Sequence, residues 1–245
     1  MNPQASTAEE LNLRLMAKAR RYHGWIYDMM KDHIRGDRLL EIGAGVGNLT
    51  RLLIQRGGHL TCTDVNPRNL EELAVAFPGV HIVLDDLAET RLEETYDTIA
   101  CVNVLEHIAD DVRALRNLRR LMAADGRLVL LVPAVPGAYG TIDRADGHHR
   151  RYSRGELRTK LAETGFETID LRYMNAPGLL GWWWEGRVLK RDLHSSQALT
   201  LLDRLVPLLM AIERVMPPPI GLSLVAAARP AGSGAHDASG VSRGG

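Results

Sequence analysis

The sequence predicts an α/β fold built on a parallel sheet, and three observations carry that reading. From residue 38 onward, runs of four to eight residues rich in Val, Ile and Leu alternate with stretches of helical spacing. The first run leads straight into a glycine-rich turn that opens a helix. Polar or acidic residues stand at the ends of four successive runs, the edge at which open α/β sheets bind ligands.

Along the chain, residues 7–34 carry Leu11, Leu15, Ala19, Tyr22 and Ile26 at three-to-four spacing, which predicts a helix. Residues 38–42 form a short apolar strand that stops at Gly43. Segments 59–64, 80–84, 98–104 and 127–132 read as the next four strands, with helices at 48–55, 68–77 and 110–122 between them. A loop with both Pro and Gly spans 133–152. It ends at Ser153-Arg154-Gly155-Glu156, a capping-box pattern that opens a helix to about Thr164. Segments 166–173 and 221–228 are two further strands. The roughly 45 residues between them exceed an ordinary connection. They hold Trp182, Trp183 and Trp184 and a helix over 199–215, which Pro217-Pro218-Pro219 stops. Four segments follow: an N-terminal helical part (1–36), a core (37–175 with 221–229), a helical insert (176–220) and a disordered Gly/Ser/Ala tail (230–245).

Composition narrows the function. The 245 residues include 30 basic and 30 acidic side chains, a balance that argues against a nucleic-acid partner. A chain this long needs neither disulfide nor structural metal to bury a core. Its start is polar, with no basic segment followed by an apolar one, and it has no run of about 18 apolar residues, so a cytoplasmic protein without a transmembrane segment is expected. Two cysteines, Cys62 and Cys101, fit a reducing compartment.

Glu41-Ile42-Gly43-Ala44-Gly45-Val46-Gly47-Asn48 joins the first strand to a helix. Glycine lets a ligand approach the backbone, and a helix N-terminus favours negative charge. Asn48 stands where a dinucleotide-binding turn would place its third glycine, which speaks against a dehydrogenase. The second strand ends at Asp64, about 20 residues further on, where a carboxylate can accept from two ribose hydroxyls. The third ends in Leu84-Asp85-Asp86-Leu87, with an acceptor for an exocyclic amine beside an apolar face for a base. The fourth ends in Asn103-Val104-Leu105-Glu106-His107.

These motifs resemble class I S-adenosylmethionine-dependent methyltransferases of the small-molecule branch, similar to ubiquinone-type and natural-product O-methyltransferases. The resemblance covers residues 20–175 and the last strand. It implies a Rossmann-like seven-stranded sheet, order 3-2-1-4-5-7-6 with strand seven antiparallel. The long insert between strands six and seven departs from the family's minimal pattern, a tight hairpin, and reads as a helical cap. It implies S-adenosyl-L-methionine as cofactor, held by Glu41, Gly43, Ala44, Gly45, Gly47, Asp64, Val65, Asp86, Leu87, Asn103 and Val104. The segment Asp143…Gly147-His148…Tyr152 resembles the stretch after strand five in the O-methyltransferases. With that strand order Cys62 and Cys101 lie about 9.6 Å apart at two strand spacings, too far for a disulfide.

Methyl transfer is an in-line displacement that needs nucleophile and methyl carbon aligned about 3–3.5 Å apart. A hydroxyl acceptor also needs a base, for which His148 and His107 are candidates, with Asp143 to orient an imidazole. Tyr22, Trp25, Tyr139, Tyr152, Trp182 and Trp183 are candidate substrate residues. Three consecutive Trp cannot all face one core, so some line a pocket, an interface or a membrane surface. Arg150 and Arg151 are equally open to an acidic substrate group or to solvent. No set of residues has metal-ligand spacing in the sequence, so no metal is expected. The expected activity is methylation of a small, partly apolar metabolite, at oxygen, in specialised metabolism. N- or C-methylation stays open, as do a non-catalytic cofactor-binding subunit, monomer or homodimer, and peripheral membrane contact.

Overall fold

The structure is a computed structural model that describes residues 11–190 and 196–232. Seven strands form one sheet: β1 (Arg38–Ile42), β2 (His59–Asp64), β3 (His81–Leu84), β4 (Tyr96–Val102), β5 (Met122–Pro133), β6 (Phe166–Met174) and β7 (Ser223–Pro230). Their order is β3-β2-β1-β4-β5-β7-β6. β1 to β5 pair in parallel, and β7 runs antiparallel to β5 and β6. Each strand lies within two residues of its expected start except β5, which begins five earlier at Met122 because Met122 pairs with Tyr96 across a bulge. Pro230, expected in the tail, pairs with Phe166 as the last residue of β7. The remainder of that tail, from residue 233, lies outside the described residues.

Helices cover both faces, and the strands alternate between them. Leu128, Leu130 and Val132 face one apolar cluster with α4 (Asp111–Arg120) and α6 (Arg154–Glu163). Val129 and Leu131 face the other, with α1 (Arg20–Met30), α2 (Thr50–Leu53) and α3 (Pro67–Ala76). Cys101 belongs to the first cluster and Cys62 to the second, so the two buried thiols lie on opposite faces of the sheet. α5 (Thr141–Ala145) sits in the loop after β5, and α7 (Ala176–Trp183) and α8 (Ser196–Val215) lie between β6 and β7.

The expected helix over 7–34 is two pieces within its described part. Residues 11–16 are helical, 17–19 break the helix, and α1 follows. The break turns 11–16 across the carboxyl end of the sheet, where Asn12 Nδ2 donates to Asp146.

Candidate active site

β1 delivers Glu41 and then the glycine turn. Gly43 has φ 67°, and a Cβ there would lie 2.3 Å from Val104 Cγ2, so a glycine is required between this turn and the end of β4. Gly45 N–H donates to Asp64 Oδ2 at 2.8 Å, and Leu13 from residues 11–16 sits over Gly45. Ala44, Gly45 and Gly47 are all buried. Glu41 corrects its expected role. Its buried carboxylate accepts from Thr50 Oγ1 at 2.6 Å and Cys62 Sγ at 3.4 Å, bracing the turn from within the core. Burial pushes its pKa up to about 7.

Asp64 Oδ1 accepts from Asn66 N–H at 2.8 Å and Asn69 Nδ2 at 3.2 Å. With the Gly45 bond, three of roughly four acceptor positions on this carboxylate are used. Val65, next in the chain, exposes its side chain. Asp86 is exposed at the end of β3, with Oδ1 accepting from Ala88 N–H at 2.9 Å. Leu87 is a correction: its side chain is buried in the cluster that holds Leu115 and Leu118, so no base can stack on it. Asn103 leaves β4 exposed at φ 52°, and Val104 packs on the core.

The loops after β4 and β5 meet. The His107 and His148 rings stand edge to face, centroids 4.7 Å apart. His148 Nδ1 lies 3.0 Å from Asp143 Oδ1. Asp143 is fully buried and also accepts from Gly140 N–H at 2.8 Å, Arg151 Nε at 2.7 Å and Trp182 Nε1 at 3.1 Å. Burial disfavours its charge, but the His148 bond and the Arg151 guanidinium outweigh burial and hold its pKa below the usual value. For His148 burial also opposes charge, yet the Asp143 bond and the nearby Glu106 and Asp146 raise its pKa. His107 has no such partner among the described residues. Burial, then His148 and His149, lower it to about 3.

Three of these features were illegible in the sequence. Arg151 is buried, not solvated, and its guanidinium stacks on Trp182 4.5 Å from the ring centroid. Glu106 is buried with both carboxylate oxygens lacking a hydrogen-bond partner among the described residues, and burial pushes its pKa to about 7. Its oxygen and the ring nitrogens of His107 and His148 all lie within 4.8 Å of one another, a set that could hold a cation. The signal for Glu106 was an acid beside a histidine in an otherwise apolar run. The signal for the ligand set was nil, because 41 positions separate His107 from His148.

The aromatic candidates divide. Tyr22 and Trp25 are buried on the inner face of α1 in an edge-to-face pair, and Tyr152 is buried with its hydroxyl on Asp111 Oδ2 at 2.9 Å. All three serve the core, which corrects their expected substrate role. Arg150 pairs with Asp111 as well. Tyr139, whose hydroxyl donates to the His148 carbonyl at 2.7 Å, and Trp182 border the histidine pair. Trp183, with Val135, Ala138, Leu179 and Leu180, lines an apolar cavity of about 290 Å³. Val135 itself holds φ 62°, a strained value for a β-branched residue.

Comparison with known proteins bears on this geometry. Residues 40–128 match a family model described as a methyltransferase domain. The chain is 31% identical over 112 residues to the ubiquinone biosynthesis O-methyltransferase of Aeromonas salmonicida, covering 43% of this chain and 47% of that one. Residues 40–128 thus match a methyltransferase domain, and the chain spans about half the length of this relative. The chain is also 29% identical over 158 residues to the ubiquinone biosynthesis O-methyltransferase of Pseudomonas aeruginosa, covering 56% of this chain and 68% of that one. Its fold is similar to that of an N-methyltransferase from Bradyrhizobium japonicum solved with S-adenosyl-L-homocysteine. The TM-score is 0.58 at 18% identity, over 86% of each chain. S-adenosylmethionine is the cofactor of this family.

Proposed function

We propose that this methyltransferase moves the methyl group of S-adenosylmethionine to a hydroxyl oxygen of a small, partly apolar metabolite, in cytoplasmic specialised metabolism, with His148 as general base. The observation that carries the reading is the 3.0 Å contact between His148 and the buried Asp143, on the sheet edge that also presents Asp64 and Asn103. Bound cofactor supplies a methyl group activated by a positively charged sulfur. The residues fit it: the turn at Gly43 has no room for a side chain, Asp64 keeps one acceptor position for a ribose hydroxyl, and Asp86 and Val65 offer an exposed carboxylate and an apolar surface.

Asp143 accepts from Nδ1 and so fixes the tautomer in which Nε2 is the basic atom. His148 takes the hydroxyl proton as the oxygen bonds the methyl carbon, and the sulfur departs neutral. His107, at about 3, is too weak a base for this step near neutral pH. The 290 Å³ apolar cavity supports an acceptor with an apolar part, and the O-methyltransferase names of both curated relatives support transfer to oxygen.

His148→Ala is expected to lower turnover about 10²–10⁴-fold with cofactor affinity nearly unchanged. A neutral base gives a rate that rises with pH through its pKa. That limb should lie above the ordinary histidine value of 6.5 and vanish in the variant. Acceptors come from extracts of the source strain incubated with labelled cofactor, the product being read by mass spectrometry. If His107→Ala removes the limb and His148→Ala keeps it, the base is His107. If both keep it, proximity alone acts, and N- or C-methylation is the better reading.

A second reading rests on the unpartnered Glu106 carboxylate, which with His107 and His148 would suit a divalent cation that orients the acceptor. Turnover lost to a chelator and restored by added Mg²⁺ or Zn²⁺ would favour it over a free His148 base.

A further inference from the structure

Of eighteen large apolar side chains exposed among the described residues, twelve lie between Leu180 and Ile220, so exposure is concentrated on the insert between β6 and β7. α8 is apolar on two opposite faces. The inner face packs Val206, Leu209 and Met210 into the cluster that contains Trp25 and Ile26 of α1. The outer face carries Leu201, Leu205, Leu208, Ile212 and Val215, between 42% and 81% exposed, at alternating spacings of four and three. At 100° per residue these five fall within about 80° of one another, opposite Val206, and their stripe is about 21 Å long. Trp183 and Trp184 are exposed at the end of α7.

Charge on the same insert is sorted by direction. Asp203 turns inward to accept from Tyr22 N–H, and Glu213 to accept from Asn175 and Ala176 N–H. Arg187, Lys190, Arg204 and Arg214 are exposed, and no acid of the insert is exposed among the described residues. Outside the described residues the chain's large apolar side chains are Met1, Leu193 and Val241 alone. Arg214 is paired with Asp28 of α1, and a second copy would bring Arg204 against a face with no exposed acid of the described insert to pair it. An anionic bilayer satisfies every part. Leucine, isoleucine and tryptophan enter the acyl boundary while arginine and lysine reach headgroup phosphates. No described helix is long and apolar enough to cross a membrane, so the contact lies in the surface plane.

We infer that the outer face of α8, with Trp183 and Trp184, docks this methyltransferase on a membrane surface that carries anionic lipid. Sedimentation with vesicles tests it. The full chain is expected to pellet with phosphatidylcholine vesicles containing phosphatidylglycerol, less so as salt rises, and to stay in solution with phosphatidylcholine alone. Arg204→Gln should weaken binding about fivefold. Leu205→Gln/Leu208→Gln/Ile212→Gln should weaken it at least tenfold, with an unchanged thermal transition showing that the fold persists. Light scattering should find a monomer. Failure to pellet with phosphatidylglycerol at low salt, or equal pelleting by a folded triple variant, overturns the inference. So does a dimer that the triple variant dissolves, which would give the stripe to a second copy.

Discussion

Asp143 receives four hydrogen bonds in a space closed to solvent: from Gly140, Trp182, Arg151 and, at Nδ1, His148. Such a carboxylate orients an imidazole rigidly, and its loss would leave the buried Arg151 charge unpaired. Removing one partner of a buried pair costs about 3–5 kcal/mol, so Asp143→Ala should lower the thermal transition by about 6–20 °C. Scanning calorimetry checks this, and a shift under 2 °C would mean that Arg151 finds another partner. Asp64 is a separate case, because its folded-state bonds come from backbone and amide donors that an asparagine oxygen can partly keep. Asp64→Asn should therefore hold the fold but weaken cofactor binding about 10-fold to 100-fold, since charge-assisted bonds contribute about 1.5–3 kcal/mol. Titration calorimetry with an unchanged affinity would remove Asp64 from the cofactor site. Both acids were picked out as candidates from position alone. The burial of Arg151 was not, because an arginine beside another arginine in a loop looks the same in sequence whether solvated or buried.

The turn after β1 and the loop after β4 are one packing unit. Gly43 at φ 67° leaves just the space that Val104 Cγ2 fills. Gly43→Ala should thus destabilise twice, by a left-handed penalty of about 1–2 kcal/mol and by the clash. Adding Val104→Ala should recover the clash and not the penalty. Denaturant midpoints of the two variants test this, and a double variant no better than the single one would show that Val104 is not the obstacle. The helix of residues 11–16 is a contrasting element. Apolar spacing runs unbroken from Leu11 to Ile26, so periodicity predicts one helix. The break at 17–19 comes from tertiary contacts, Asn12 with Asp146 and Leu13 over Gly45, that no local pattern encodes.

Several buried groups make the stability of the protein depend on pH in opposing ways. Glu41 and Glu106 have pKa values raised to about 7, so between their ordinary 4.5 and 7 the folded state binds more protons than the unfolded. Stability falls as pH rises through that window. His148, also raised, adds stability below 6.5 that is lost as pH rises through its folded value. His23 is lowered to about 4 by burial, and it works the other way: the unfolded chain takes its proton first, and stability falls as pH drops from 6.5 to about 4. Asp111 and Asp143, with lowered values, lose their contribution below about pH 3.8. The thermal transition should therefore rise from pH 8 to about pH 6.5 and fall below pH 4. Glu41→Gln isolates one component. It should match the native protein near pH 4.5 and exceed it at pH 8 by about 3 kcal/mol, the free energy between 4.5 and about 7. Equal stability of the two at pH 8 would mean that Glu41 ionises freely in the fold.

The strands and their parallel pairing were legible in the residues, because short continuous apolar runs and glycine turns are local signals whose physics acts within a few positions. Strand order came from resemblance to a family, and the helical insert from the unusual length of the segment between strands six and seven. Neither route could assign the insides of the site. Whether Tyr152 or Trp25 faces a substrate or a core depends on which helix covers the sheet there, and both turn out to be buried. The meeting of Glu106, His107 and His148 depends on two loops from adjacent parallel strands. The bare stripe on α8 is apolar in sequence like any core face. It is set apart because α1 covers the opposite side of the same helix and leaves this side exposed among the described residues.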